Sequence, residues 1–407
     1  MEGADDCNGL DASVHPGAQE QPYDGVDQDC DGADLVDVDG DGVPAPEDCN
    51  DEDPSVWPGV PETCNERDDD CDALVDEEPW DGLAVYVDGD GDGYGSEGRS
   101  TCALTEGFSL DGGDCDDGDS TINPAAPEAC DGVDNNCDDL VDWMVAGRTH
   151  PTVQGAIDGA CDGAARVWVP AGRWNENLWV SDSLYIAGEA TSTTILDGSS
   201  CTRGADACHV VETAGSPTVS IVGLTLTGGL AEYGGGVLSA GANLSFVDVR
   251  IEDNAADHGG GAWLSGDVVM IRTTVADNTA LQGFGGGIGI AGGGGGSFEA
   301  TDCEVLSNTS AFAGGGLALG AYSEDSDIQN NVFDGNTAAE AGGGVYIGNG
   351  AAVVLRDNVI SDNGSGSAPG GGGVACMDAA GRPRVFGGNT LSGNSPDDWW
   401  PSLADCE

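Results

Sequence analysis

The sequence has no lysine: all 11 of its basic residues are arginine, against 74 Asp and Glu and a formal net charge of −63 over 407 residues. A surface of that sign repels nucleic acid and anionic membranes and argues against direct binding to either. Long apolar runs are missing too. No stretch reaches the roughly 18 residues a membrane helix needs, so no span is expected. Met1 is followed by Glu2-Gly3-Ala4-Asp5, with neither a basic n-region nor an apolar h-region. The chain therefore reads as one whose secretory leader has been removed, Met1 being an addition for expression. There is no CxxC pair, which disfavours zinc, and only His15 precedes Trp143, which leaves a histidine copper site poorly supplied.

What is present divides the chain. Of the 74 acids, 44 precede Trp143, where Arg67 and Arg99 are the only basic residues. This asymmetry predicts separate domains: acidic, cysteine-containing repeats over 1–142 (about 5–36, 37–86 and 87–142) and a different repeat over 143–407. Fifteen cysteines in so acidic a chain point to an oxidising compartment, hence a secreted or cell-surface protein.

The front third has little hydrophobic mass but orders its acids. Asp37, Asp39 and Asp41 occupy positions 1, 3 and 5 of a loop, with Gly42 at 6, Val43 at 7 and Asp48 at 12. That is the arithmetic of an EF-hand-type calcium loop: alternating oxygens, a turning glycine, a backbone carbonyl and a closing carboxylate. The next copy supplies Asp88, Asp90 and Asp92, Gly93 at 6 and Tyr94 at 7. Its position 12 is Arg99, which cannot ligate. Asp114 precedes Cys115 as Asp48 precedes Cys49, so an insertion is expected, with Asp114 closing the loop. Each copy carries a second cluster with D-x-[DN]-x-D spacing: Asp27, Asp29, Asp31 and Asp37; Asp68, Asp70, Asp72 and Asp76; Asp134, Asn136, Asp138 and Asp142. A second cation is expected there, with Asp51, Asp53, Asp116, Asp117 and Asp119 available to complete either kind of site. Several Ca2+ ions are thus the expected cofactors. The competing reading is a hydrated acidic turn without a specific ion.

The cysteines keep register as Cys49, Cys64, Cys71 and Cys115, Cys130, Cys137, with Cys102 extra and Tyr23 replacing the middle cysteine of the first copy. Short-range pairs Cys64–Cys71 and Cys130–Cys137 are expected, then Cys102–Cys115, although spacing alone does not determine connectivity. The stretches DVDGDGVPAPEDCNDEDPSVWPGVPETCN and DGDGDGYG…GGDCDDGDSTINPAAPEACDGVDNNCDDLVD resemble the MopE-type metal-binding repeat of bacterial surface proteins. The resemblance implies copper, whereas the residues themselves favour calcium. The DxDxDG loops are also similar to the calcium-binding loops of thrombospondin type 3 and dockerin modules.

Beyond Asp142, Val153, Ala156, Ile157 and Ala160 share one face of a short amphipathic helix over Thr152–Cys161. ARVWVPAGRWNENLWV then reads as strand, turn, strand. From Tyr233 two signatures alternate. Glycine triplets begin at Gly234, Gly259, Gly285, Gly314, Gly342 and Gly371, and apolar-x-x-Asn segments end at Asn254, Asn278, Asn308, Asn336, Asn363 and Asn394. Steps of 24 to 31 residues with period-2 alternation predict a parallel β-helix. In it Val345 and Ile347 point inward, the asparagines stack as a ladder, the glycines serve tight corners and the helix caps the open end. The first coil resembles that of pectate-lyase-like right-handed β-helices, and the rungs are similar to polymorphic outer-membrane protein repeats. The expected class is therefore all-β, a right-handed parallel β-helix behind loop-rich calcium-binding repeats. Cys201–Cys208 and Cys376–Cys406 are expected disulfides, Cys303 a buried inert thiol, and Trp399 and Trp400 a cover for the last coil.

Two functions compete. One is a non-enzymatic secreted or cell-surface protein whose calcium-stiffened repeats carry a solenoid for adhesion to a glycan or protein. The alternative is a polysaccharide lyase or glycoside hydrolase, for which Asp248, Arg250, Glu252 and Arg272 are the candidates; outward charges on a solenoid are usually only solvated. His209 and His258 are isolated, and no nucleophile pattern accompanies them.

Overall fold

The computed structural model describes residues 6–129, 131–139, 143–147, 150–160, 165–201, 207–291, 296–320, 324–367, 370–377, 384–402 and 406. It forms two compact units, Met1–Ala126 with Asp134–Asp139, and Pro127–Val133 with Leu140–Glu407.

The first unit is mostly turns. Its regular structure is one antiparallel sheet, Leu83–Val87 between Gly98–Thr101 and Phe108–Ser109, and a two-residue parallel pair, Tyr94–Gly95 with Asp111–Gly112. Its buried apolar residues are few: Val14, Val56, Val85, Ile122 and Ala126. Val14, Val56 and Ile122 hold the same place in the three repeats. Each is followed by a residue whose amide reaches across to the acidic turn: His15 to the Gln28 carbonyl, Trp57 to that of Asp69, Asn123 to that of Asn135. Disulfides Cys7–Cys30, Cys49–Cys71 and Cys115–Cys137 close the repeats, and Cys64–Cys102 ties the second repeat to the hairpin region of the third. The expected pairs Cys64–Cys71, Cys130–Cys137 and Cys102–Cys115 are therefore not formed; Cys130 itself lies outside the described residues. The acidic turn carries Cys71 and Cys137, both at positive φ, back to the first cysteine of the repeat rather than to its nearest sequence neighbour.

The second unit is a parallel β-solenoid. Strands recur coil after coil in three long sheets: a ten-stranded one from Trp143–Val145 to Arg384–Gly387, and nine-stranded ones from Gly172–Trp174 to Thr390–Ser392 and from Leu178–Val180 to Trp399–Trp400. A short seven-stranded sheet fills one corner. The segment expected to be strand, turn, strand is three strands, Ala165–Val169, Gly172–Trp174 and Leu178–Val180, one for each long sheet. Inward residues stack in register, as in the column Val167, Ile186, Ile221, Phe246, Met270. All five are buried in one core that also holds Val345 and Ile347. The helix spans Val153–Asp158 and buries Val153 and Ala156 in that core. Its first turn is fixed by the Thr152 hydroxyl, which accepts from the Gly155 amide, and by the Glu176 carboxylate, which accepts from the amides of Val153 and Gln154.

Among the buried polar groups, Asp197 allows a pH test. Burial alone would raise its pKa, but hydrogen bonds from Ser199 and the Arg173 guanidinium overcome this and hold it below the usual carboxylate range. A depressed folded pKa contributes stability above the unfolded value and loses it as pH falls through the folded one. Asp197→Asn is thus expected to destabilise the solenoid at neutral pH by about 1–2 kcal/mol. In urea melts that penalty should shrink as pH falls below about 4.

Candidate metal centres

Two loops carry the same hydrogen-bond pattern. In the second repeat Asp37 accepts from the Gly40 and Gly42 amides at 2.8 and 3.0 Å, Asp39 from Asp41 at 3.1 Å and Asp41 from Val43 at 2.8 Å. Asp48 accepts from the Asn50 amide at 2.7 Å and Asp51 from Val38 at 3.3 Å. Gly40 and Gly42 lie at φ 80° and 102°, which lets successive amides turn onto one carboxylate. The backbone thus occupies one oxygen of Asp39, Asp41, Asp48 and Asp51. The other oxygen of each is buried with no hydrogen-bond partner. Ligand atoms of Asp37, Asp39 and Asp51, and of Asp39, Asp41 and Asp48, lie within 4.8 Å of one another. Burial, and then the charges of Asp41, Asp48 and Asp37, raise the Asp39 pKa. Apposed, desolvated carboxylate oxygens are unfavourable alone and fit a hard divalent cation.

The third repeat rebuilds this arrangement across an insertion. Asp88 accepts from the Gly91 and Gly93 amides, Asp90 from Asp92, and Asp92 from Tyr94. Asp114 accepts from Asp116 at 2.9 Å and Asp117 from Gly89 at 2.8 Å. Again the second oxygens of Asp90 and Asp114 are buried and unpartnered. Burial comes first, and then the charges of Asp92, Asp90 and Asp117, in raising the Asp114 pKa. The inserted residues form strand Gly98–Thr101, where Arg99 pairs with Glu97. Asn123 adds a contact the second repeat lacks, donating to Asp92 at 2.7 Å.

The second clusters are built differently. Asp68, Asp70 and Asp72 accept from the amides of Ala73, Asp72 and Leu74. Glu62, which sequence reasoning missed, joins Asp68 and Asp70, and its carboxylate also accepts from the amides of Asp69, Asp70 and Asp76. One oxygen each of Asp68 and Glu77 is buried and unpartnered. Asp76 is engaged instead with the amides of Asn65 and Glu66. In the first repeat Glu20 likewise joins Asp27 and Asp29, while Asp31 accepts from Ala33. The signal was available: a glutamate stands six or seven residues before each run, at Glu20, Glu62 and Glu128. In the third repeat Asp134 accepts from the amides of Asp138 and Asp139 and Asn136 is buried; Asp142 lies outside the described residues. Asp53 and Asp119 cap the turns at Ser55 and Thr121.

On the solenoid, Arg272 donates twice to Asp248, at 2.7 and 2.6 Å, and Arg250 pairs with Glu252. Asp248 sits at positive φ in the turn before strand Arg250–Glu252, not on that strand with the other two. The ring of His209 is bonded to the Gly234 carbonyl, and that of His258 lies between Tyr233 and Phe284. Burial pushes the Cys303 thiol up to about 11, so it stays protonated. Cys201–Cys208 and Cys376–Cys406 are both formed, and Trp399 packs on Phe386 at the last coil.

Two family models match the chain. One described as "Right handed beta helix region" covers residues 211–397, and one described as "Putative metal-binding motif" covers residues 6–34, 48–77 and 114–142. The chain thus carries three copies of a metal-binding motif ahead of a right-handed parallel β-helix. Similar solved structures include the rice weevil pectin methyl esterase (13% identity, TM-score 0.37, 62% of this chain and 89% of that one). A pectin methylesterase from Aspergillus niger is similar at 16% identity and TM-score 0.41, covering 66% of this chain and 92% of that one. The A-module of the Azotobacter vinelandii mannuronan C-5 epimerase AlgE4 is similar at 17% and 0.30, covering 63% and 94%. No curated protein matches the chain. No described helix is long and apolar enough to cross a membrane.

Proposed function

We propose that this is a secreted or cell-surface calcium-binding protein in which ion-stiffened repeats over 1–142 carry the β-helix of 143–407 as an interaction surface. The observation that carries the reading is the set of four buried, unpartnered carboxylate oxygens on Asp39, Asp41, Asp48 and Asp51. Their donors are all hard oxygens. Cys49 and Cys71, which lie beside Asp48, are joined in a disulfide and have no thiolate to offer a softer metal. The loop positions Asp37–Asp41 and Asp88–Asp92 lie outside the matched metal-binding segments, so the choice of calcium rests on the geometry of these loops. The polysaccharide lyase or hydrolase reading needs acids that converge on a solenoid face, whereas Asp248, Arg250, Glu252 and Arg272 are closed into two ion pairs.

Calorimetric titration of metal-stripped protein tests this. Calcium should bind at several sites, and Asp48→Asn should weaken one class about tenfold or more, whereas Asp53→Asn should leave every class in place. Tight copper binding that calcium does not displace would overturn the reading.

A further inference from the structure

One solenoid face holds a recess that the calcium sites do not explain. The third long sheet presents one outward residue per coil, and in consecutive coils these are Trp263, Gly289, Ala318 and Tyr346. Beyond Trp263, whose ring covers Gly289, the small Ala318 leaves a hollow of about 550 Å³ before Tyr346, walled also by Phe284 and Met377. That volume lies within the range of ligand sites. Trp263 and Tyr346 stand three coils apart, roughly 14 Å at the spacing of paired strands.

The aromatic rings are held in position. A Cβ at Gly289 would come within 2.4 Å of Trp263 Cε3, so the indole lies down over that glycine. Phe284 tilts against Tyr346 with ring centroids 5.7 Å apart. None of the described residues that line the recess is charged, in a chain of net charge −63. With no arginine among the described lining residues, none of them balances an anionic ligand against the field of the chain. The same charge opposes a second copy of the protein. The lining residues that carry hydrogen-bonding side-chain groups are exposed Asn349, Tyr346 and Trp263; the others are apolar or glycine. Flat aromatic faces repeated along an axis, with a few neutral hydrogen-bonding groups and no charge, match the alternating C–H faces and hydroxyl edges of pyranose rings.

We propose that this recess binds an uncharged stretch of polysaccharide, lying along the solenoid axis with its sugar rings stacked on Trp263 and Tyr346. The inference rests on the proposed role of the β-helix as an interaction surface and is independent of the calcium sites. The test titrates the full chain, calcium present, with hexaoses of the cello-, manno-, xylo- and chito- series and with polygalacturonate and alginate. Tryptophan fluorescence and calorimetry are the readouts. At least one neutral hexaose should bind and the uronates should not. Trp263→Ala should weaken binding about tenfold or more, and Gly289→Ala, which displaces the ring without removing it, should also weaken it. Both variants should keep the parent's calcium titration, so a failure of glycan binding stays distinct from a failure of the calcium sites. Binding of uronates alone, binding indifferent to Trp263→Ala, or capture of apolar peptides with no neutral glycan bound would each overturn the proposal.

Discussion

Stripping calcium from the intact chain should open residues 37–51 and 88–117 to protease within minutes while the β-helix keeps its circular dichroism and its melting transition. The two units differ in what holds them. The solenoid has a continuous apolar core from Met144 to Val374. Among its described residues the first unit buries Ala126 and four larger apolar side chains, the latter contributing about 1.5–3 kcal/mol each, against roughly 1–2 kcal/mol of backbone entropy for every residue ordered. Its four disulfides limit the unfolded ensemble. They neither neutralise the carboxylates nor hold Asp39 against Asp48.

The sign of the electrostatic term follows from the raised pKa values of Asp39, Asp90 and Asp114, each raised first by burial and then by neighbouring acids. A carboxyl whose folded pKa is raised contributes stability only below its unfolded value and loses it as pH rises through the folded one. At neutral pH the ion-free loops are therefore unfavourable, and a bound cation reverses this. Occupancy at about a hundredfold excess over Kd is worth about 2.7 kcal/mol per site, so two occupied loop sites would supply much of what a small domain has. Chelation should accordingly loosen the cradles and leave a compact, cross-linked first unit, and chelation with disulfide reduction should unfold that unit fully. A demetallated sample as protease-resistant as the loaded one would mean that the loops hold their shape without an ion.

How much could be read beforehand depended on whether the signal was local. The six asparagines at apolar-x-x-Asn do form one ladder: Asn254, Asn278, Asn308, Asn336 and Asn363 each pass a side-chain amide to the next Oδ1, and Asn394 is the last acceptor. A second ladder, Asn331, Asn358 and Asn389, was not legible, because it is short and its column continues with a different residue. Cys303 takes the next place in it, its amide donating to Asn331. The carboxylate spacing of the calcium-type loops follows from side chains that alternate over a few residues. The disulfide map and the part taken by Glu62 do not, because a turn of several residues decides which distant groups return to one point. The glycine triplets read as corners in the sequence, yet only the first of each lies at positive φ; Gly285, for example, has φ 69°.

The second and third glycines are there for closeness, and this sets the largest effect expected in the solenoid. A Cβ on Gly286 would lie 2.4 Å from the Gly315 carbonyl oxygen and 2.5 Å from that of Thr309, both backbone atoms of the next coil. No side-chain rotation relieves such a contact. Gly286→Ala must push two coils apart across a ladder in which the Gly286 amide donates to the Gly314 carbonyl. The cost expected is about 4 kcal/mol or more, the upper range for single substitutions. Asn308→Ala reaches a similar figure by another route. It removes the acceptor of the Asn278 amide at 3.0 Å and the donors to the Val275 carbonyl and Asn336. Those groups are left buried and unsatisfied at about 1–3 kcal/mol each. Asn394 ends its ladder, so Asn394→Ala should cost about 1–2 kcal/mol. Because a solenoid is stabilised by interfaces between neighbouring coils, a central break should also split its single denaturant transition into two, which the Asn394 variant should not do. A Gly286→Ala protein with an unshifted, single transition would mean that the coils are not packed at backbone contact through the triplets, and that closeness does not require the second glycine.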